Sequence, residues 1–296
     1  MSVGESSPAL WRPSHEQIKS TNLHQFIGVV SEKLSLPSAN YDEFHQWSVD
    51  NPESFWAEVW DYTGIKASVD WDSILTNADQ FPGATWFAGA RFNFAENLLR
   101  NRSDRIAIVG RLENGSRITL SYGQLYEQVE QCAAAMRSVG VECGDRVAGF
   151  MPNVSETVVA MLATTSIGAI WSSCSPDFGI NGVMDRFGQI KPKLLFGCNG
   201  YYYNGKTIDS TPTLQQICDN IDSIEQLVVV PVIEQLADLP AHGKAVIFNE
   251  FLVSKNTPEL AFEQLPFNHP LYIMYSSGTT GVPKCIVHGA GGTLIQ

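Results

Sequence analysis

Four hydroxyl side chains, two glycines and one lysine lie within residues 276–284, in the stretch MYSSGTTGVPKCIVH. Gly278 and Gly281 can adopt positive φ, which lets the backbone approach a ligand closely. Convergent backbone N–H groups bind anions, and the hydroxyl groups add further donors. Lys284 supplies a mobile positive charge suited to phosphate oxygens. The stretch therefore predicts a loop that binds a polyphosphate.

The loop is not a Walker A motif, because Pro283 stands five positions after Gly278, where that motif requires glycine. The alternative is a plain turn between two strands, but this density of hydroxyl residues, glycines and a lysine favours binding. The preceding residues, LYIMYSS, read as a strand. Ligands of open α/β sheets lie at the carboxyl ends of strands, which is where this loop would begin.

The composition excludes several classes of protein. A formal net charge of −12 argues against a binder of nucleic acid or anionic membranes. The longest apolar run, residues 158–171, is interrupted by polar residues and is too short to span a bilayer. The first residues lack the apolar segment of a signal peptide. The six cysteines are far apart, which predicts free thiols and a cytosolic protein.

The first hundred residues predict a helical N-terminal region. Ser14 can cap one long helix whose apolar positions continue to Leu34. Residues 41–50 form a second candidate helix, and Asn51-Pro52 can start a third. We place a domain boundary near residue 100.

Residues 101–296 predict an α/β domain with a mainly parallel sheet flanked by helices. A hairpin is indicated around Asn114-Gly115. Beyond it, short apolar runs such as RVAGFM, KLLFG and QLVVVPV alternate with helical patterns. That alternation is typical of a parallel sheet that is covered on both faces.

The loop resembles the phosphate-binding loop of the adenylate-forming superfamily, which includes acyl-CoA synthetases. Members activate a carboxylate with ATP, release pyrophosphate and pass the acyl group to a thiol. Where the family usually has glycine after the lysine, this chain has Cys285. The resemblance implies that the following residues contact the phosphates of ATP: Ser276, Ser277, Gly278, Thr279, Thr280, Gly281 and Lys284.

Longer stretches narrow the resemblance. The segments WSVDNPESFWAEVWDYTGI and WFAGARFNFAENLL resemble the N-terminal region shared by acetyl-CoA and acetoacetyl-CoA synthetases. The segments GAIWSSCSPDFG and MDRFGQIKPKLLF resemble the acetoacetyl-CoA synthetase family. This implies an ATP- and Mg²⁺-dependent ligase that joins acetoacetate to CoA, in cytosolic ketone-body use and lipid synthesis. The alternatives are an acetyl- or propionyl-CoA synthetase and a non-catalytic nucleotide-binding fragment.

One turn bears on coenzyme A. Acetyl-CoA synthetases carry an arginine- and glycine-containing basic cluster near the 3′-phosphate of CoA. The matching residues here are Tyr203, Asn204, Gly205 and Lys206. The resemblance implies that Lys206 pairs with phosphate and that Tyr203 stacks on adenine, and a solvated turn is the alternative.

The resemblance also implies functional parts beyond Gln296. These are the catalytic residues, most of the acyl pocket, the Mg²⁺ ligand and a C-terminal domain that bears a lysine. We therefore expect residues 101–296 to be an incomplete adenylation domain with no metal ligand of its own, and the chain to have little activity alone.

Overall fold

The computed structural model describes residues 10–36, 40–234, 240, 245–253, 258–276 and 281–296. The chain divides into two compact units, Met1–Ile65 and Lys66–Gln296. Within the described ranges, no helix has both the length and the apolar character needed to cross a membrane.

The first unit is helical. Its helices are α1 (His15–Lys19), α2 (Asn22–Leu34), α3 (Tyr41–Asp50) and α4 (Pro52–Thr63). The prediction of one helix from Ser14 to Leu34 is wrong, because the first helix ends at Lys19 and a second begins after Thr21. The Thr21 hydroxyl accepts a hydrogen bond from the His24 N–H at 3.1 Å. A side-chain cap of this kind gives the first N–H groups of a helix an acceptor, which a carbonyl of the preceding turn would supply in a continuous helix.

The second unit contains all the strands found in the described residues. They are β1 (Ala67–Val69), β2 (Ser73–Thr76), β3 (Thr85–Ala88), β4 (Arg91–Phe92), β5 (Ile106–Arg111), β6 (Arg117–Ser121), β7 (Arg146–Phe150), β8 (Ile170–Cys174), β9 (Leu194–Cys198), β10 (Gly200–Tyr203), β11 (Lys206–Asp209), β12 (Gln226–Val230), β13 (Ala245–Ile247), β14 (Leu265–Pro266), β15 (Pro270–Ser276) and β16 (Lys284–Gly289). Its helices are α5 (Phe94–Leu98), α6 (Tyr122–Ser138), α7 (Ser155–Ile167), α8 (Ile180–Ile190), α9 (Thr211–Asn220), α10 (Phe248–Leu252) and α11 (Ala290–Ile295).

A seven-stranded sheet with the order β13-β12-β9-β7-β8-β15-β16 forms the centre of the second unit. Every neighbouring pair is parallel except β15 and β16, which are antiparallel. The predicted α/β architecture with a mainly parallel sheet is therefore confirmed. In the chain, the predicted phosphate loop connects the two strands of this antiparallel pair, β15 and β16.

Helices cover both faces of this sheet. The chain moves from β7 to β8 on one side and then back across β7 to β9, so right-handed crossovers place α7 and α8 on opposite faces. One core joins α6, α7 and α10 to the sheet, and the other joins α8 and α9 to it. In β9, Leu194 and Phe196 enter the first core while Leu195 enters the second. Burial on both faces explains why β9 reads as an unbroken apolar run.

The hairpin predicted around Asn114-Gly115 is confirmed as the antiparallel pair β5 and β6. Residues 66–100 belong to the same compact unit as the large sheet. In particular, β4 pairs with β14, which directly precedes β15 in the chain. The domain boundary near residue 100 stays a prediction.

We predict that Gly149→Ala destabilises the second unit by about 1–3 kcal/mol, the usual cost of overpacking. A Cβ at Gly149 would lie 2.6 Å from Cη2 of Trp171, an indole ring that is buried and packs on Phe196. Urea unfolding of the purified protein measures the change. Gly28→Ala is the control, since Gly28 is an exposed residue of α2 with no atom near the added Cβ. Gly28→Ala should raise the free energy of unfolding by about 0.5–1 kcal/mol, because alanine favours a helix more than glycine does. An unchanged free energy of unfolding in Gly149→Ala would contradict the packing described for Trp171.

Candidate functional site

The strands β15 and β16 hold the two ends of the predicted phosphate loop together. Ser276 is the last residue of β15 and lies opposite Lys284, the first residue of β16. Lys284 is exposed and forms no ion pair with a residue that the structure describes. A hydroxyl group and a free ammonium group thus flank the base of the loop.

The middle of the loop, Ser277, Gly278, Thr279 and Thr280, lies outside the described residues. On the exit side, Gly281 has φ +103°, a conformation that side chains rarely adopt. The residues that follow the loop are bound to α8, because the Gln189 side-chain amide donates to the Pro283 carbonyl at 2.9 Å. The end of the loop is therefore held by a turn that favours glycine and by a helix.

A cavity of about 390 Å³ lies beside the base of the loop. It is formed at the carboxyl ends of the neighbouring parallel strands β8 and β15, and Met161 of α7 and Arg186 of α8 also line it. Its walls are largely apolar and aromatic, with a few polar groups: Met161, Trp171, Phe178 and Ile273, then Ser173, Ser175, Tyr275 and Arg186. Strand ends of this kind are the usual position for ligands of parallel sheets.

Tyr275 is a fixed wall of the cavity. The Ser172 hydroxyl donates to the Ile273 carbonyl at 2.9 Å, which uses its single proton. The Tyr275 hydroxyl must therefore donate to Ser172 Oγ, also at 2.9 Å. Burial raises the pKa of Tyr275, so the phenol stays neutral at physiological pH. It has no proton to spare for a ligand.

The thiol beside this wall is equally inert. Burial raises the pKa of Cys174 to about 12, which outweighs the opposite effect of the nearby Arg186. The thiolate is the reactive form of cysteine, so Cys174 is not a nucleophile. Cys285 lies opposite Tyr275 in the β15–β16 pair and is a free, partly buried thiol.

Arg186 brings positive charge to the cavity, although no motif in the sequence pointed to this residue. Its guanidinium lies 4.4 Å from the centre of the Phe178 ring and 5.6 Å from that of Tyr275. Nη1 donates to the Gly182 carbonyl at 2.7 Å, and no acidic side chain among the described residues pairs with the group. The available signal was a single arginine beside the apolar stripe Val183, Phe187 and Ile190 of α8.

The residues predicted to meet coenzyme A form the tip of the β10–β11 hairpin. Asn204 and Gly205 both have positive φ, of 50° and 70°, as a two-residue hairpin turn requires. Tyr203 and Lys206 are exposed on either side. The Gly205 N–H donates to Glu113 Oε2 at 3.3 Å. The hairpin follows β9, so it begins at the carboxyl ends of the parallel strands, as the phosphate loop does after β15. The strands β7 and β8 lie between β9 and β15 in the sheet.

The described residues contain no cluster of metal-ligating side chains. No three His, Cys, Asp or Glu side chains come together among them in a way that could hold a metal ion. The dependence on Mg²⁺ and the position of its ligands stay predictions.

Comparisons with known proteins place this geometry in a family context. Residues 94–296 match the AMP-binding enzyme family, and residues 41–98 match the acetyl-coenzyme A synthetase N-terminus. The chain is 45% identical to acetoacetyl-CoA synthetase of Xenopus tropicalis, over 97% of this chain and 44% of that protein. It is 42% identical to a malonamoyl-CoA synthetase of Penicillium aethiopicum, over 97% of this chain and 41% of that protein.

A solved structure agrees with these matches. The acetoacetyl-CoA synthetase of Streptomyces lividans superimposes with a TM-score of 0.91 at 35% identity, over 98% of this chain and 44% of that chain. The resemblance to acetoacetyl-CoA synthetases and the predicted fold are both confirmed. The chain spans somewhat less than half the length of these relatives.

Proposed function

The chain belongs to the AMP-binding enzyme family, and from this premise we propose that the whole protein joins a small carboxylic acid to AMP and then to coenzyme A. In the first step a carboxylate oxygen attacks the α-phosphorus of ATP, and pyrophosphate leaves. In the second step the thiol of CoA attacks the acyl carbon, and AMP leaves with the oxygen that had bridged the two groups. ATP and CoA are thus both substrates.

The observation that carries this proposal is the pairing of Ser276 with Lys284 beside the cavity. Pyrophosphate gains negative charge as it leaves, and positive charge aimed at a developing anion lowers the barrier. Lys284 is free to supply that charge, and Ser276 can donate a hydrogen bond. We propose that Ser277, Gly278, Thr279, Thr280 and Gly281 complete the phosphate site. Mg²⁺ belongs to the proposal as a counter-charge for the phosphates, with ligands outside the described residues.

The proposed acid is acetoacetate. Acetoacetyl and malonamoyl groups, the acyl groups in the names of the relatives, share one chemical feature: a second carbonyl two carbons from the acyl carbon. We accordingly propose that the protein takes short acids with this β-carbonyl group.

The hairpin tip at Tyr203, Asn204, Gly205 and Lys206 is a second part of the proposal, as a contact for CoA. Lys206 is exposed and can pair with a phosphate group, and Tyr203 offers an exposed ring. The carboxylate of Glu113 lies beside Gly205 and would repel a phosphate group. The contact with CoA therefore depends on the positive charge of Lys206.

For the cell, we propose a cytosolic role in ketone-body use and lipid synthesis. The product, acetoacetyl-CoA, is an activated four-carbon unit. All six cysteines are unpaired, which suits a reducing compartment.

Substrate preference tests this function. We expect the whole protein to catalyse acid-dependent ATP–pyrophosphate exchange with a kcat/KM for acetoacetate roughly tenfold or more above those for butyrate, propionate and acetate. The physical reason is that a site built for a polar oxygen is left unsatisfied by an acid that lacks it. A preference for acetate or propionate would move the protein to the neighbouring synthetases. ATP binding without exchange for any acid would support a non-catalytic nucleotide-binding protein instead.

A further inference from the structure

We propose that Gln189 is a positioning residue for Lys284. Its side-chain amide donates to the Pro283 carbonyl at 2.9 Å and so fixes the backbone from which the lysine reaches the departing pyrophosphate. This inference rests on the proposed function and deepens it, because it explains how the charge at the phosphate loop is held in place. Gln189 lies 94 positions away from Pro283 in the chain and is not part of the loop motif.

The end of the loop needs support from outside the β15–β16 pair. Proline has no N–H group, so Pro283 has no backbone donor to offer β15. Among the described residues, the β15–β16 ladder ends at the pair Ser276 and Lys284. The terminal pair of a ladder opens more readily than the pairs inside it. The bond from Gln189 adds a contact at this point, to the peptide group that joins Pro283 to Lys284.

The support comes from a helix end that is itself held to the sheet. Gln189 lies in the last turn of α8, and the next residue, Ile190, is buried in the core that α8 shares with the sheet. Arg146 of β7 donates to the carbonyls of Ile190 and Lys191 at 2.9 and 3.2 Å. The Pro283 carbonyl is thus linked through α8 to β7, the middle strand of the sheet.

The Gln189 amide is already oriented for this contact. Its Nε2 carries two N–H groups, and it donates to the Asp185 carbonyl of its own helix as well as to Pro283. The bond within the helix restrains the side chain, so the bond to Pro283 costs less rotamer freedom than it would for an unrestrained glutamine. Because Gln189 is exposed and adds nothing to the core, its loss should affect the loop more than the fold.

Gln189 acts on Lys284 through the backbone. Tyr275 and Cys285 pack against the core that contains α8. Successive side chains of a strand face opposite sides of the sheet, so the Lys284 side chain faces away from α8. The glutamine therefore leaves the ammonium group available to a phosphate and fixes only the start of its flexible stem. A charge stabilises a developing anion best when its position is set before the reaction.

A double-mutant cycle with Lys284→Ala tests this role in the whole protein. Gln189→Met keeps the length of the side chain and removes its donor. In acetoacetate-dependent ATP–pyrophosphate exchange it should lower kcat about three- to tenfold, the size expected of one hydrogen bond to a carbonyl. The KM for acetoacetate and the thermal unfolding temperature should stay close to those of the wild type. In the Lys284→Ala background the same change should cost less than about twofold, because no charge remains to be positioned.

Gln216→Met is the matched control, because Gln216 is an exposed glutamine of the neighbouring helix α9. It should keep the wild-type kcat. Gln189→Asn keeps the amide on a shorter side chain and should fall between the wild type and Gln189→Met. It replaces Gln189→Met in the cycle if thermal unfolding shows that the methionine variant does not fold. An unchanged kcat in Gln189→Met, or equal losses with and without Lys284, would overturn the inference.

A binding measurement separates this inference from the proposed function. Absence of exchange in the wild type with every acid would refute the function. The same cycle is then measured as the dissociation constant of pyrophosphate in the presence of Mg²⁺, by calorimetry. Gln189→Met should weaken pyrophosphate binding about three- to tenfold when Lys284 is present and less than about twofold when it is absent. Equal weakening in both backgrounds, or a wild type that does not bind pyrophosphate, would overturn the role of Gln189.

Discussion

Lys284→Ala lowers acetoacetate-dependent ATP–pyrophosphate exchange on the order of a hundredfold to a thousandfold, which is the cost of removing one well-placed electrostatic contact in a closed site. The ammonium group has no ion-pair partner among the described residues, and Lys284 stands opposite Ser276 at the base of the loop. Because the charge matters most as pyrophosphate leaves, the loss should appear mainly in kcat. Exchange measured at saturating ATP and acetoacetate reports it.

Two variants bracket this result. Lys284→Arg keeps the charge and should retain much more activity than Lys284→Ala. Lys19→Ala removes an exposed lysine of α1 in the other compact unit and should behave as wild type. Unchanged exchange in Lys284→Ala would mean that the loop does not bind the leaving phosphates.

Asn93→Ala destabilises the second unit by roughly 3–4 kcal/mol, the sum of one lost helix cap and several lost buried hydrogen bonds. Asn93 is 1% exposed. Its side-chain amide donates to the carbonyls of Thr165, Ser166 and Glu263 at 3.1, 3.2 and 2.9 Å. Its oxygen accepts the Glu96 N–H at the start of α5, at 3.1 Å.

These contacts join the start of α5, the last turn of α7 and the segment that leads to β14. The Thr165 and Ser166 carbonyls also accept the N–H groups of Gly168 and Glu263, at 3.2 and 2.9 Å, so Asn93 adds a second hydrogen bond to each of these carbonyls in the last turn of α7. Asn93→Asp should be worse than Asn93→Ala, because it places a carboxylate against carbonyl oxygens. Ser121→Ala, which removes the capping box of α6 alone, should cost about 1 kcal/mol. Urea unfolding of the four proteins tests the order. Equal losses in Asn93→Ala and Ser121→Ala would refute the bridging role.

Elements with a strong local pattern could be predicted. The α3 helix has the predicted bounds, and β9 and β12 follow from apolar runs that only a strand buried on both faces explains. The break between α1 and α2 was missed because the apolar spacing continues across it. The Thr21 cap decides there, and periodicity does not detect a cap.

Of the candidate site, only the phosphate loop could be predicted from the sequence. The loop is a contiguous stretch whose composition indicates phosphate binding. The cavity, in contrast, forms when β8 and β15 become neighbours, and Trp171 and Tyr272 pair across that contact although they lie about a hundred residues apart. Arg186 reaches this cavity from a third element, α8. No local pattern encodes such an arrangement, so the position of Arg186 in the cavity could be seen only in the structure.

The path of one carboxylate oxygen tests the central claim most directly. The whole protein is incubated with ATP, CoA and acetoacetate labelled with oxygen-18 in the carboxylate, and the products are analysed by mass spectrometry. Attack of the carboxylate on the α-phosphorus, followed by thiolysis, predicts that AMP carries one oxygen-18 and that pyrophosphate carries none. Label in inorganic phosphate together with ADP, or AMP without label, would contradict an acyl-adenylate and with it the proposed role of the loop.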